Sequence, residues 1–155
     1  MHNHMTPSNL DQRAVVAQVL STMANIHLLP EQAVDAGSFF SQQPLASMMR
    51  YPAPVNQVLT LQCSPALALQ LTASLFERSL PTSTCDADIT DTMIELLNMI
   101  GGNLKALMPD ETSIGVPWAL DQSDMLVRME GQLGQTWFAT SAGLMCLTFA
   151  ADASA

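Results

Sequence analysis

The chain is short of cations. Five lysines and arginines stand against 14 aspartates and glutamates, a formal net charge of -9, and that imbalance opposes binding to nucleic-acid phosphates or an anionic membrane surface. Charge of either sign is scarce: charged residues make up 12% of the chain, about half of the roughly 25% usual in soluble domains. Much of the surface must therefore be neutral polar or covered by a partner, and an oligomer or a docking face is expected. Cysteine is sparse too. Cys63, Cys85 and Cys146 are odd in number, far apart and without a CxxC pair, which fits buried reduced thiols and not a disulfide or zinc framework. Apolar stretches such as Ala142 to Ala151 fall short of the roughly 20 residues a membrane-spanning helix needs. Residues 1 to 13 lack the basic start and apolar core of a signal peptide. A cytoplasmic protein with no membrane insertion and no nucleic-acid partner is expected. His2 and His4 have no further fixed ligands near them, so no metal site is expected.

What the chain does have is 48% hydrophobic residues over a length of 155, which excludes disorder and suits one domain with its own core. The expected limits are a single domain over 10–150, a flexible N-terminal segment over 1–9 and a flexible tail over 151–155. Val15, Val16, Val19, Leu20, Met23 and Ile26 recur at helical spacing, predicting a first helix from Leu10 to Leu29 that stops at Pro30. Residues 30–56, rich in Ser, Gln and Pro, read as turns with at most one short irregular strand near Phe39 or over Met48 to Tyr51. Val58 to Cys63 alternates as a strand. Ser64 then reads as the cap of a helix opened by Pro65 and running to about Ser79. A long helix is predicted from about Asp88 to Met108, before Pro109. Thr112 to Val116, Met125 to Met129, Gln132 to Phe138 and Leu144 to Phe149 read as strands, with Gly131, Gly134 and Gly143 at turns or bulges. The fold class is α+β, a two-layer sandwich of an antiparallel sheet with about three helices.

The long helix carries the candidate chemistry. At about 100° per residue, Ile89, Met93, Leu96, Leu97, Ile100, Leu104 and Leu107 gather on one side as a core face. Glu95, Asn98, Gly102 and Lys105 fall within roughly 40° of Asp91 on the other side. A solvated helix face often holds such residues, but two features count against so plain an account. Gly101 and Gly102 together cost on the order of 2 kcal/mol of helix propensity relative to alanine. Asp91 and Glu95 are like charges at i, i+4 in a chain already strongly acidic. Gly102 removes a side chain from the ridge and lets a backbone or bulky ligand come close. A weaker echo, Thr22 to Ile26 against Glu95 to Met99, shares an asparagine, at Asn25 and Asn98.

The run Asp91-Thr-Met-Ile-Glu95-Leu-Leu-Asn98-Met-Ile-Gly101-Gly102-Asn103-Leu-Lys105-Ala-Leu-Met-Pro109 resembles the signature helix of the CheX branch of the CheC/CheX/FliY chemotaxis phosphatases, and the order of surrounding elements resembles that family over most of residues 10 to 150. The resemblance implies a phosphatase acting on the aspartyl phosphate of a CheY-like response regulator in two-component signalling. Glu95 matches the family's acidic residue and Asn98 its water-positioning amide. It further implies no cofactor in this chain, since the receiver would bring Mg²⁺ and a lysine to neutralise the phosphoryl oxygens, and it implies a homodimer formed by joining sheets. Asp91, Gly102 and Lys105 are the expected partner-binding residues, although Asp91 could equally serve the first turn of the helix. Asn103, off the stripe, reads as a structural hydrogen-bonding residue. With Thr22 where a second Glu would stand, one active site per chain is expected. Two other readings stay open: a non-catalytic module of the same fold that binds a receiver or a flagellar-switch component, and a small-ligand sensor, which would need a deep apolar pocket away from the long helix.

Overall fold

The structure, a computed structural model, describes residues 6–76, 86–120 and 132–151. Its elements in chain order are α1 (Asn9–Ala24), α2 (Ala36–Ser41), β1 (Leu45–Tyr51), β2 (Gln57–Cys63), α3 (Pro65–Leu75), α4 (Asp86–Lys105), β3 (Trp118–Leu120), β4 (Gln132–Thr140) and β5 (Gly143–Ala151). The strands form one five-stranded sheet in the order β3-β1-β2-β5-β4, and every neighbouring pair is antiparallel. This is the α+β arrangement expected, with a fourth, short helix.

Alternation along the strands separates the two faces of the sheet. Met49, Tyr51, Leu59, Leu61, Cys63, Phe138, Met145, Leu147 and Phe149 share one buried cluster with Val16, Val19 and Leu20 of α1, Leu67 and Leu71 of α3, and Met93, Leu96, Leu97, Ile100 and Leu104 of α4. Three helices therefore cover one face. On the other, Trp137 packs edge-on against Phe39 and Phe40 of α2, with ring centroids 5.0 and 5.8 Å away.

Several boundaries differ from the sequence expectation, each for a local reason. Asn25, not Pro30, ends α1: it takes a left-handed conformation at φ 53 and its N–H bonds the Leu20 and Ser21 carbonyls, a C-cap geometry asparagine tolerates. His27 consequently lies beyond the helix. Residues 6–9 are tied into the fold and not loose, since Pro7 is buried and its carbonyl accepts from Gln12 Nε2 at 2.9 Å. Ala151 closes β5 instead of opening a tail. Phe39 is helical, and the turn-rich 30–56 region contains a regular seven-residue strand, β1, paired along its whole length with β2. Ser64 occupies the N-cap position of α3 without capping it; its hydroxyl accepts from Leu144 N–H instead. That contact leaves no room at Gly143, which has φ +152 and where a Cβ would sit 2.2 Å from Ser64 Oγ. Thr112 to Val116 is no strand. It is an extended approach to β3, fixed by Ser113 N–H to the Ala53 carbonyl and Gly115 N–H to the Arg50 carbonyl. The helix opened by Pro65 ends at Leu75, with Phe76 as its C-cap bonding back to Thr72, short of the expected end near Ser79. The strand expected over Met125 to Met129, Gly131, Cys85, His2 and His4 lie outside the described residues.

Cys63 and Cys146 are free and buried. Burial holds the Cys63 thiol far above its ordinary value, helped by the neighbouring Cys146, and burial pushes Cys146 up to about 12. In the unfolded chain both titrate near ~8.5. The folded state thus keeps protons that the unfolded state loses. Stability is complete below that value and falls as the pH rises toward the folded ones, with a slope approaching about 1.4 kcal/mol per pH unit for each thiol. Urea midpoints measured on either side of this range should drop on the alkaline side; an unmoved midpoint contradicts the burial of the thiols.

Candidate docking and catalytic ridge

The site is built on α4, and β1 holds α4 in place. Tyr51 Oη donates to the Gly101 carbonyl at 2.7 Å and Ser47 Oγ donates to the Met93 carbonyl at 2.8 Å, both buried. Carbonyl oxygens have a second lone pair, so these bonds add to the helical ladder without breaking it. Two turns apart, they fix both the azimuth and the axial position of the helix on the sheet. The sequence pattern gives neither residue a role in the site. The available signal was the placement of Ser47, Met49 and Tyr51 at alternate positions, which is strand spacing with one face polar at intervals. Burial also pushes the Tyr51 phenol well above its ordinary value, so it remains a donor across the physiological range. Tyr51→Phe is expected to cost about 1 kcal/mol of stability, as one buried hydrogen bond is lost, and to lower the thermal midpoint while the helical signal in circular dichroism is kept.

With that face pinned, the opposite face is outward. Asp91, Glu95, Asn98 and Gly102 are exposed and Lys105 is half-buried at the last helical position. Helix geometry places Glu95 and Asn98 on one face, about 4.5 Å apart along the axis. The Asn98 side chain makes no hydrogen bond among the described residues, which leaves its amide group open to an outside partner. Asn103 is exposed, and its Nδ2 is committed to the Met99 carbonyl at 2.8 Å. Leu107 departs from the expected core face: the helix ends at Lys105, and Leu107 is 51% exposed.

The two glycines have different reasons. A Cβ at Gly101 would lie 2.1 Å from Met49 Sδ and 3.2 Å from the Tyr51 hydroxyl, so this glycine is demanded by helix-on-sheet packing. A Cβ at Gly102 would meet nothing within 4 Å among the described residues. Only Gly102, then, bears a helix cost of about 1 kcal/mol that the interior does not explain.

Asn25, the counterpart of Asn98 in the internal echo, is accounted for by its capping geometry, and Thr22 beside it has no carboxylate. Among the described residues no three His, Cys, Asp or Glu side chains gather as a metal site, and no helix is long and apolar enough to cross a membrane. Of two grooves beside residues 29–34, one has a mixed lining in which Leu29, Val34 and Leu144 stand with Gln32, Thr140 and Ser141, and the other is mainly polar, with Arg13, Glu31 and Gln135.

Residues 45–141 match the sequence model of the family described as "Chemotaxis phosphatase CheX". No curated protein matches the chain. Among solved structures, it is similar to the chemotaxis protein CheX from Vibrio vulnificus, at 15% identity and TM-score 0.69, over 94% of this chain and 99% of that one. It is likewise similar to a CheC-like superfamily protein from Shewanella sp. PV-4, at 20% identity and TM-score 0.66, over 91% and 94%. A third similar structure is the CheX-CheY-BeF3-Mg+2 complex from Borrelia burgdorferi, at 13% identity and TM-score 0.66, over 92% and 97%.

Proposed function

Because the chain belongs to the CheX family of chemotaxis phosphatases, we propose that it hydrolyses the aspartyl phosphate of a CheY-like receiver domain, with Asn98 as the catalytic residue and Glu95 as the anchor to the partner. The observation that carries this reading is the exposed Glu95–Asn98 pair, whose side chains have no partner among the described residues, on a helix fixed to the sheet at two points. Similarity to the CheX-CheY-BeF3-Mg+2 complex from Borrelia burgdorferi adds support for the partner class.

The chemistry asks little of this chain. A water attacks phosphorus in line, the bond from phosphorus to the aspartyl oxygen breaks, and the aspartate leaves as a carboxylate. The receiver brings the Mg²⁺ that neutralises charge on the phosphoryl oxygens. Asn98 Oδ1 accepts a hydrogen bond from the water while Nδ2 donates to a phosphoryl oxygen, so one planar amide sets the angle of attack. An amide is not a base at neutral pH; its contribution is position, and the water's proton passes to the phosphate product. Glu95, one turn earlier, pairs with the receiver's lysine and fixes the register of the complex. Asp91, Gly102 and Lys105 complete the contact. In the same reading the protein acts in the cytoplasm as a homodimer joined at a sheet edge.

The test follows the decay of a receiver phosphorylated with acetyl phosphate and then freed of donor. Substoichiometric protein is expected to accelerate decay over many turnovers, and Glu95→Ala to raise KM about tenfold, the scale of a lost charged contact. A protein that binds the beryllofluoride-activated receiver yet leaves the decay of the phosphorylated one unchanged is the non-catalytic module of this fold instead.

A further inference from the structure

The exposed ridge of α4 is electrically polarised, and its positive end has no partner among the described residues. The acids of the helix, Asp86, Asp88, Asp91 and Glu95, all lie in its first half, and its one cation, Lys105, is its last residue. The other described cations are engaged: Arg13 donates to the Leu29 carbonyl and the Arg50 guanidinium lies 5.1 Å over the Trp118 ring. The Lys105 side chain takes part in no ion pair or hydrogen bond among the described residues. The sequence makes sure of this within the helix. The positions three and four residues before it, where a carboxylate would stabilise a lysine, are Gly102 and Gly101. In a chain of net charge -9, a cation left unpaired beside an open glycine is free to serve an outside group.

Resting on the function proposed above, we infer that Lys105 sets the direction in which the receiver lies along α4, by pairing with a carboxylate on the receiver surface. Helix rise puts Lys105 about 10 Å beyond Asn98 and about 15 Å beyond Glu95. The fitting partner presents a cation opposite Glu95, the phosphoryl group opposite Asn98 and an acidic side chain about 10 Å further along the same line. Gly102, where a Cβ would meet none of the described residues within 4 Å, leaves the span between amide and ammonium low enough for the receiver to close over it. A receiver docked in the reverse direction would set its acid against Asp91 and Glu95, so like charges disfavour that orientation. Lys105 touches neither the water nor the phosphoryl group in this arrangement; it is a positioning residue for the choice of receiver.

The test titrates a beryllofluoride-activated receiver against wild type, Lys105→Arg, Lys105→Gln and Lys105→Glu at low and high salt, and measures kcat and KM on the phosphorylated form. Loss of the pair is expected to weaken binding about threefold in Lys105→Gln and charge reversal about tenfold in Lys105→Glu. Lys105→Arg should bind as wild type. The losses should appear in KM and not in kcat, and the affinity advantage of wild type over Lys105→Glu should shrink with salt. Equal affinities of wild type and Lys105→Glu at low salt overturn the inference, and if wild type still hydrolyses the phosphate, the proposed function stands without it. Binding that depends on Lys105 in a protein that does not hydrolyse keeps the docking inference and removes the activity. If no activated receiver binds wild type, both fall.

Discussion

Asn98→Ala is expected to lower kcat on a phosphorylated receiver about 100-fold or more, the scale at which loss of a positioning or charge-stabilising group is felt, while leaving stability unchanged or slightly higher. Both halves follow from the same fact. Asn98 is exposed and its side chain makes no hydrogen bond among the described residues, so those residues have no use for its side-chain amide, and alanine is the better helix former. Affinity for the activated receiver should survive, because in the proposed complex register comes from Glu95 and Lys105. Asn98→Asp is the sharper variant. It keeps an acceptor for the water, loses both N–H donors and sets a negative charge against the phosphoryl oxygens. It should be at least as inactive as alanine if the amide acts through both of its ends. Activity retained in Asn98→Asp would mean that accepting from the water is the whole of its role.

The second large effect separates two neighbouring glycines. Gly101→Val should destabilise the protein by about 3 kcal/mol, since its side chain must displace fully buried Met49 and crowd the Tyr51 hydroxyl, and overpacking of this kind is poorly absorbed by a dense core. Gly102→Ala should do the reverse to stability, adding up to about 1 kcal/mol from helix propensity because its Cβ meets nothing. Its cost should appear in the receiver complex, as a raised KM with the fold improved. Chemical denaturation of the two variants together with KM for Gly102→Ala checks the pair. A Gly101→Val protein as stable as wild type contradicts the packing of α4 on β1. A Gly102→Ala protein with unchanged KM removes the reason for a bare ridge.

These glycines also mark how far the sequence could be read. Periodicity found α4 and its exposed stripe because 20 residues of alternating core and surface leave a strong 3.6-residue signal. It could not tell Gly101 from Gly102, since the atoms that exclude a side chain at Gly101 belong to β1, some 50 residues away. β1 itself was hidden for the converse reason. Buried on both faces, with Ala46, Met48 and Met49 nearly inaccessible, it shows no clean alternation, and its flanking prolines and serines read as turn. The first helix was read too long because Asn25 turns left-handed and caps it locally before Pro30 can act. The start of α3 at Pro65 was legible, but the role of Ser64 was not, because its hydroxyl accepts from β5 instead of capping the helix. The Glu95–Asn98 pair was legible because both residues lie within one turn of one helix. Its supports, Ser47 and Tyr51, were not, because they come from another strand.

The most direct measurement is the first-order decay of a phosphorylated receiver held in excess over the protein, with wild type and Asn98→Ala compared at equal receiver occupancy. Repeated turnovers are expected with wild type and, with Asn98→Ala bound, a decay indistinguishable from that of the receiver alone. Equal acceleration by the two proteins would contradict a catalytic role for the Asn98 amide.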